Sequence, residues 1–483
     1  MSQPAAEPPP TPGPPDGAPR EGADTVGGPD RRDGDVVPFG TALRAWFGIS
    51  LQTFGGPAGQ IAVMQRALVD DRRWISQRRF LHALNYCMLL PGPEAQQLAV
   101  YVGWLLNGLR GGIAAGVLFV LPGMVALLAL SAIYVGFGDT TAISALFVGL
   151  GAAVVAIVVQ AVVRVGRRAL THRVLVGIAV AAFVALAVFA VPFPVVIGAA
   201  AFLGWLAGRR IPALTHTAGH AAGPADGAAP LIADDSLHSE APSLVRTGKI
   251  LAVGLVLWAA PVAVVAVLTG AGSVYTTQGL FFSGSSLVTF GGAYAVLAFV
   301  AQQAVQTYGW LSAGDMVRGL ALAETTPGPL IMVVQFVAFL GAYANPGPLT
   351  PWAAGVVASL LVTWVTFVPS FLFIFLGAPY IERLRHNTAL AGALTGITAA
   401  VVGVIANLAL YFALNTLFAR THLLDAGPLA IHLPDLSTLR PVALAITVVA
   451  ALLLFAVRWP VLRTLGVCAL LGLVAGLVGL PVR

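Results

Sequence analysis

The chain has 483 residues, of which 58% are hydrophobic and 10% charged, with a mean hydropathy of +0.87. A soluble chain carries about 25% charged residues, so there is too little polar surface here to cover a water-soluble globule. The formal charge of +6 does not indicate nucleic acid, because the basic residues sit at the ends of apolar runs, as topology charges do.

Residues 1–37 are rich in Pro, Gly and Asp and lack an apolar stretch. They read as a disordered cytoplasmic tail rather than a signal peptide. Thirteen hydrophobic segments follow, at roughly 40–65, 80–107, 112–137, 141–163, 174–191, 194–208, 249–268, 278–300, 316–344, 351–377, 389–418, 441–457 and 460–480. Their lengths suit a bilayer, which about 20 apolar residues cross. A polar stretch, 209–247, reads as a cytoplasmic linker between a first unit, 38–208, and a second, 248–483. Cys87 and Cys468 lie in apolar segments and read as small buried hydrophobes. His216 and His220 stand four apart in the linker without a third ligand nearby, so no metal is expected. Lys249 is the single lysine, while Arg, Ala and Gly abound, a composition that suits a high-GC bacterium.

The two units repeat. Ser50-Leu51-Gln52-Thr53-Phe54-Gly55-Gly56-Pro57 matches Ser286-Leu287-Val288-Thr289-Phe290-Gly291-Gly292-Ala293 at six of eight positions, at an offset of 236. The same offset aligns Trp74-Ile75-Ser76 with Trp310-Leu311-Ser312, and Pro91-Gly92-Pro93 with Pro327-Gly328-Pro329. Further on, Gly149 to Gln160 aligns with Gly396 to Asn407 at an offset of 247. Three motifs at one ungapped offset mark an internal duplication.

Positive charge marks cytoplasmic loops. The first unit has Arg66, Arg72, Arg73, Arg78 and Arg79, then Arg164, Arg167, Arg168 and Arg173, then Arg209 and Arg210. In the second unit the basic places are Arg246/Lys249, Arg383/Arg385 and Arg458/Arg463, each displaced by one crossing. The units therefore read as inverted, with segment 249–268 supplying the extra crossing. The 66–79 and 164–173 loops both stay inside only if each FGG and PGP segment enters and returns as a broken hairpin. Gly-Gly-Pro and Pro-Gly-Pro suit such breaks, since Pro lacks an N–H and disfavours helix in the preceding residue. The expected fold is an all-α polytopic membrane protein of two inverted repeats with re-entrant hairpins. It has nine full spans and four hairpins, with the N-terminus cytoplasmic and the C-terminus outside; a plain thirteen-crossing arrangement also inverts the halves but breaks the positive-inside rule at the Trp74 loop.

Broken segments at matching places in inverted halves point to a transporter binding site. A helix restarting in mid-membrane presents free N–H groups and the positive end of its dipole, which suits an anion. The expected substrate-binding residues are Ser50, Thr53, Gly55, Gly56, Pro57, Pro91, Gly92, Pro93, Thr289, Gly291, Gly292, Thr325, Thr326, Pro327, Gly328 and Pro329. Pro57, Pro93 and Pro329 are placed at first helical positions, and the hydroxyls, with that of Ser286, as added donors. The plainer reading is that these motifs only shape the fold and permit close packing. Glu94 and Glu324 are ionisable groups inside apolar segments, hence candidates for proton coupling or for capping a half-helix. Gln52, Gln60, Asn85, Gln96, Gln97, Gln335 and Asn407 line a hydrated path or bond between helices; Arg318 attracts an anion or snorkels to the surface. No Walker A, GxSxG, HExxH or Ser/His/Asp pattern occurs, so neither an enzyme nor a cofactor is expected.

Phe54-Gly55-Gly56-Pro57, Trp74 and Pro91-Gly92-Pro93, with their second copies, resemble the chromate ion transporter family in its fused two-domain form. The resemblance is most specific over 44–124 and 280–370. It implies secondary transport of chromate out of the bacterial cytoplasm across the inner (plasma) membrane, with chromate resistance. Sulfate, also a tetrahedral dianion, is the expected competitor or alternative substrate. The partners implied are the oxyanion and the lipid bilayer, with no nucleic acid, and a homodimer stays open. One departure is Ala293, where the family motif has Pro. A membrane-embedded enzyme or lipid-handling protein, and a sensor on the same fold, are the readings from other classes.

Overall fold

The computed structural model describes residues 35–138, 140–211, 231–232, 237–238, 243–290, 292–380, 388–427 and 429–480. The linker histidines His216 and His220, the loop arginines Arg383 and Arg385, and Gly291 lie outside these residues. Helices dominate. The first unit comprises α1 (Phe39–Ser50), α2 (Gly56–Gln65), α3 (Gln77–Cys87), α4 (Glu94–Phe137), α5 (Thr141–Ala169), α6 (Arg173–Ala187) and α7 (Phe193–Arg210). The second comprises α8 (Leu244–Thr269), α9 (Val274–Leu287), α10 (Ala293–Gln302), α11 (Ala313–Thr325), α12 (Val333–Ala344), α13 (Pro351–Gly377), α14 (Thr388–Leu417), α15 (Pro441–Ala451) and α16 (Val461–Leu477). A hairpin of β1 (Thr421–Ala426) and β2 (Leu429–Pro434) stands between α14 and α15.

Among the described residues, five helices are long and apolar enough to cross a membrane: α4, α5, α8, α13 extended to Tyr380, and α14 from Ala389. In α8 only 6% of the apolar window is buried by protein. Its exposed Val, Leu and Ala side chains need lipid around them. The chain is thus an all-α polytopic membrane protein.

The FGG and PGP segments are broken helices. α1 stops at Ser50 and α2 begins at Gly56, where Gly55 (φ 80°) and Gly56 (φ 72°) adopt a conformation that favours glycine. α3 stops at Cys87 and α4 begins at Glu94, with Gly92 at φ 125°. The second unit breaks in the same places, with Gly292 at φ 102° and Gly328 at φ 97°. Beyond each FGG break the chain closes in a π turn, Arg66–Asp71 and Gln303–Thr307. The Trp74 N–H then donates to Leu68 O (2.9 Å), and that of Trp310 to Ala304 O (2.8 Å). Ser76 and Ser312 cap the next helix, accepting from the backbone N–H of Arg79 and Asp315. The Trp-x-Ser motif is therefore a helix start following a π turn.

Later the register shifts. Pro122-Gly123 matches Pro369-Ser370 at an offset of 247, and both prolines lie inside helices. Ala190 (φ 48°) and Pro192 match Arg458 (φ 59°) and Pro460 at 268, the β1–β2 hairpin being inserted before this last stretch.

The halves interlock. α14 packs on α5, α6 and α7, while α5 packs on α15 and α16. These crossings are lined by glycine. A Cβ on Gly204 of α7 would stand 2.5 Å from both Gly392 O and Gly396 Cα, and Gly149 of α5 meets the Cys468 backbone of α16. G204L should therefore lower the protein's stability by about 1–3 kcal/mol, read as a fall in the thermal midpoint in detergent. G198L, on the same helix with open space at its Cβ, should leave the midpoint unchanged.

Residues 35–38, placed by sequence at the end of the tail and the start of the first unit, are pinned. The Val36 N–H donates to Leu106 O (3.0 Å), and Asn107 Nδ2 donates to Val37 O (2.5 Å). The linker ties both ends of the first hairpin pair. The Leu231 N–H donates to Arg73 O, and that of His238 to Leu105 O, each at 2.8 Å. Seven residues reach at most about 25 Å, so the α2–α3 tip and the break in α4 at Asn107–Gly108 lie at one end of the bundle.

Candidate functional site

The four breaks pair crosswise. The Gly328 N–H, from the second PGP, donates to Thr53 O (2.9 Å) and Thr53 Oγ1 (3.1 Å) of the first FGG. The Gly92 N–H, from the first PGP, donates to Thr289 O (2.8 Å) of the second FGG. Thr53 and Thr289, like Gly92 and Gly328, are 236 apart in sequence, so the two contacts are one contact made twice. Gln60 Nε2 adds a bond to Gly328 O at 2.5 Å. The structure thus pairs Thr53 with Gly328 and Thr289 with Gly92, each contact drawn from both units.

Several expected roles change here. The Gly92 and Gly328 amides are engaged across the repeat rather than free. Pro93 and Pro329 are N-caps, not first helical residues, and Pro329 leads into a 3-10 turn, Leu330–Met332, before α12. Pro57 does lie in the first turn of α2. The amides that helix geometry leaves without an intrahelical acceptor are those opening α4, at Glu94, Ala95 and Gln96. The hydroxyl hydrogens are also engaged, because a Ser or Thr near a helix end bonds readily to the carbonyl three or four residues back. Ser50 donates to Phe47 O, Thr53 to Ser50 O, Ser286 to Ser283 O, Thr289 to Ser285 O, Thr325 to Leu322 O and Thr326 to Ala323 O. They shape the breaks and offer lone pairs, as Thr53 does to Gly328. Pro91 lends its carbonyl to Gln97 Nε2 at 2.7 Å.

The two acids differ. Glu324 is buried, 3% exposed, and its Oε1 accepts from Tyr294 O–H at 2.5 Å. Arg164, bonded to Gln160 Oε1 at 2.8 Å, lies within electrostatic reach of both. Glu94 opens α4 and is only partly covered. Arg318 is held in place, donating to Tyr134 O–H (2.7 Å) and pairing with Asp315 (3.5 Å), while Tyr134 O–H donates to Asp315. That triad fastens α11 to α4 and leaves Arg318 poorly placed to attract an anion.

The site also holds residues that sequence reasoning left as general interior polar groups, or passed over. Both side-chain atoms of Gln96, together with Gln97 Oε1, Thr366 Oγ1 and Ser370 Oγ, are buried without a hydrogen-bond partner. Each such group costs about 1–3 kcal/mol. Gly92 sits between two of these side chains, since a Cβ there would lie 2.7 Å from Gln97 Nε2 and 2.9 Å from Ser370 Oγ. A legible signal was the Gln96-Gln97 pair directly after a PGP break. Thr366 and Ser370 gave none, because they arrive from the other repeat.

The helix pairs α2–α3 and α10–α11 are docked unequally. α10 packs on α14, and α11 packs on α5, α14 and α16. Among the described residues, the matching α2 and α3 pack on α4 and make no comparable contact with α5, α7 or α14. A separate cleft lies between the end of α10 and the β hairpin, lined mostly by apolar side chains, with Gln302, Gln306, Asn407, Tyr411 and His432 among the lining residues. It does not reach the PGP motifs.

Fold and site define a polytopic helical membrane protein whose two halves bond to one another through broken helices. The family model described as "Chromate transporter" matches residues 41–205 and 276–477, and the chain belongs to that family. A chromate transport protein of Pseudomonas aeruginosa is 35% identical over 361 residues, covering 74% of this chain and 76% of that protein. One from Cupriavidus metallidurans is 28% identical over 353 residues, covering 73% and 77%. A probable chromate transport protein of Synechococcus elongatus is 25% identical over 363 residues, covering 73% and 79%. No solved structure matches the chain.

Proposed function

We propose that this protein is a secondary transporter, not an enzyme, that exports chromate across the bacterial cytoplasmic membrane and so confers resistance to it. The observation that carries this reading is the reciprocal bonding of Thr53 with Gly328 and Thr289 with Gly92, which joins the broken helices of the two repeats in matching pairs. Membership in the chromate transporter family supports the substrate. The loop charges support inverted repeats, with the N-terminus inside and the C-terminus outside. The substrate region is the set of FGG and PGP residues with Ser50, Thr53, Thr289, Thr325 and Thr326, and Glu94 and Glu324 are the coupling groups. The unequal docking of the hairpins favours a carrier in one of two states. α10–α11 are closed onto the α5–α14 core while α2–α3 stand away from it, and exchange of the two arrangements moves access across the membrane.

The energetics suit export. A negative-inside potential supplies about 2.3 kcal/mol per charge per 100 mV, or roughly 4–5 kcal/mol for a dianion. The potential alone therefore suffices to drive export, and proton coupling through Glu94 and Glu324 adds to that drive without being required for it. Sulfate has the same shape and charge and is the second reading. Inside-out vesicles should accumulate chromate when the potential is made inside-positive, with sulfate competing weakly. Faster accumulation of sulfate than chromate would favour the second reading, and no flux of either anion would remove both.

A further inference from the structure

We infer that Gln96, Thr366 and Ser370, with Gln97 as a positioning residue, form the recognition site for the tetrahedral oxyanion beside the first PGP break. This rests on the reading that the protein carries an oxyanion. All four side chains are almost fully covered, at 0% exposure for Gln96 and Gln97, 3% for Thr366 and 1% for Ser370. Gln96 Nε2 and the Thr366 and Ser370 hydroxyls are donors with no acceptor. A buried polar group without a partner calls for a ligand, a water or a function, most of all inside a membrane protein. Gln97 is partly used, because its Nε2 holds the Pro91 carbonyl and so fixes the break.

The duplication supplies an internal control. The matching residues of the other repeat are Met332 for Gln96, Val333 for Gln97, Phe119 for Thr366 and Gly123 for Ser370. All four are apolar. There the backbone closes directly, with Gly123 Cα 3.5 Å from where a Gly328 Cβ would stand and Phe119 O equally near. One of two equivalent places is sealed and the other is lined with neutral donors, so a single site results. Neutral donors suit a dianion that must be released as well as bound. The site is drawn from α4 of one repeat and α13 of the other, so movement of the loosely docked first hairpins opens or closes it.

The test converts the polar site to its apolar counterpart through Q96M and S370G in the full-length protein. Chromate flux into inside-out vesicles and the thermal midpoint in detergent are both measured. The expected result is a rise of tenfold or more in the KM for chromate, with the midpoint unchanged or higher. A lower midpoint with an unchanged KM would show the residues to be structural and overturn the proposal. So would wild-type flux in both variants. If Q96M does not fold, S370G alone decides, because it introduces only the glycine of the other repeat. Absent flux in the wild type defeats the transport reading itself, and then a midpoint that falls in both variants overturns this assignment too.

Discussion

Gly92→Val should abolish chromate transport, and Gly92→Ala should reduce it by an order of magnitude or more. The backbone at Gly92 has φ 125°, which costs a side-chain-bearing residue about 1–3 kcal/mol. The added carbon would press on Gln97 Nε2 and Ser370 Oγ, at 2.7 and 2.9 Å. Such overpacking costs about another 1–3 kcal/mol, and about 1.4 kcal/mol is a factor of ten in an equilibrium. Gly328→Ala should be milder. Its φ of 97° is also unfavourable, but the nearest neighbours are backbone atoms at 3.5 Å, ordinary contact. Vesicle flux and thermal midpoints of the two alanine variants check this. Equal loss in both would mean that the two PGP motifs do the same work.

Glu324→Ala should also lose most of the flux, and Glu324→Gln should separate structure from coupling. Alanine removes the acceptor of the Tyr294 hydroxyl and leaves it buried and unpaired, a cost of about 1–3 kcal/mol. It also leaves Arg164 without the nearby carboxylate. Glutamine keeps an acceptor for Tyr294, so the midpoint should stay close to wild type. If Glu324 and Glu94 exchange protons in the cycle, flux in E324Q and in E94Q loses its dependence on pH. Flux in E324Q that tracks the wild type through a pH series removes Glu324 from coupling.

Much of the fold was legible, because glycine and proline act locally. Gly55, Gly56 and Pro57, and Pro91, Gly92 and Pro93, break helices wherever they stand, and the structure breaks there. The repeat was legible because three motifs share one offset. What stayed hidden is what needs distance. The bond from Gly328 to Thr53 joins residues 275 apart. The Ser and Thr hydroxyls looked like free donors because their back-bonding depends on where each helix stops. The π turns at Arg66–Asp71 and Gln303–Thr307 leave the apolar pattern intact, so periodicity passes over them. The β hairpin is short and lies between hydrophobic segments, where only the Asp425-Ala426-Gly427 turn hints at it. Thr366 and Ser370 read as ordinary residues of an apolar helix until the other repeat is brought against them.

In the proposed arrangement the two repeats meet from opposite faces of the membrane around one unequal site. Ser76 and Ser312 are the equivalent helix caps just after the two hairpin tips. The single substitutions Ser76→Cys and Ser312→Cys, each in a Cys87→Ala/Cys468→Ala background, should react with a membrane-impermeant maleimide from opposite sides. The Ser76→Cys protein should label only in inside-out vesicles, and the Ser312→Cys protein only in intact cells or right-side-out vesicles. Labelling of both from the same side would contradict the inverted arrangement and the single central site built on it.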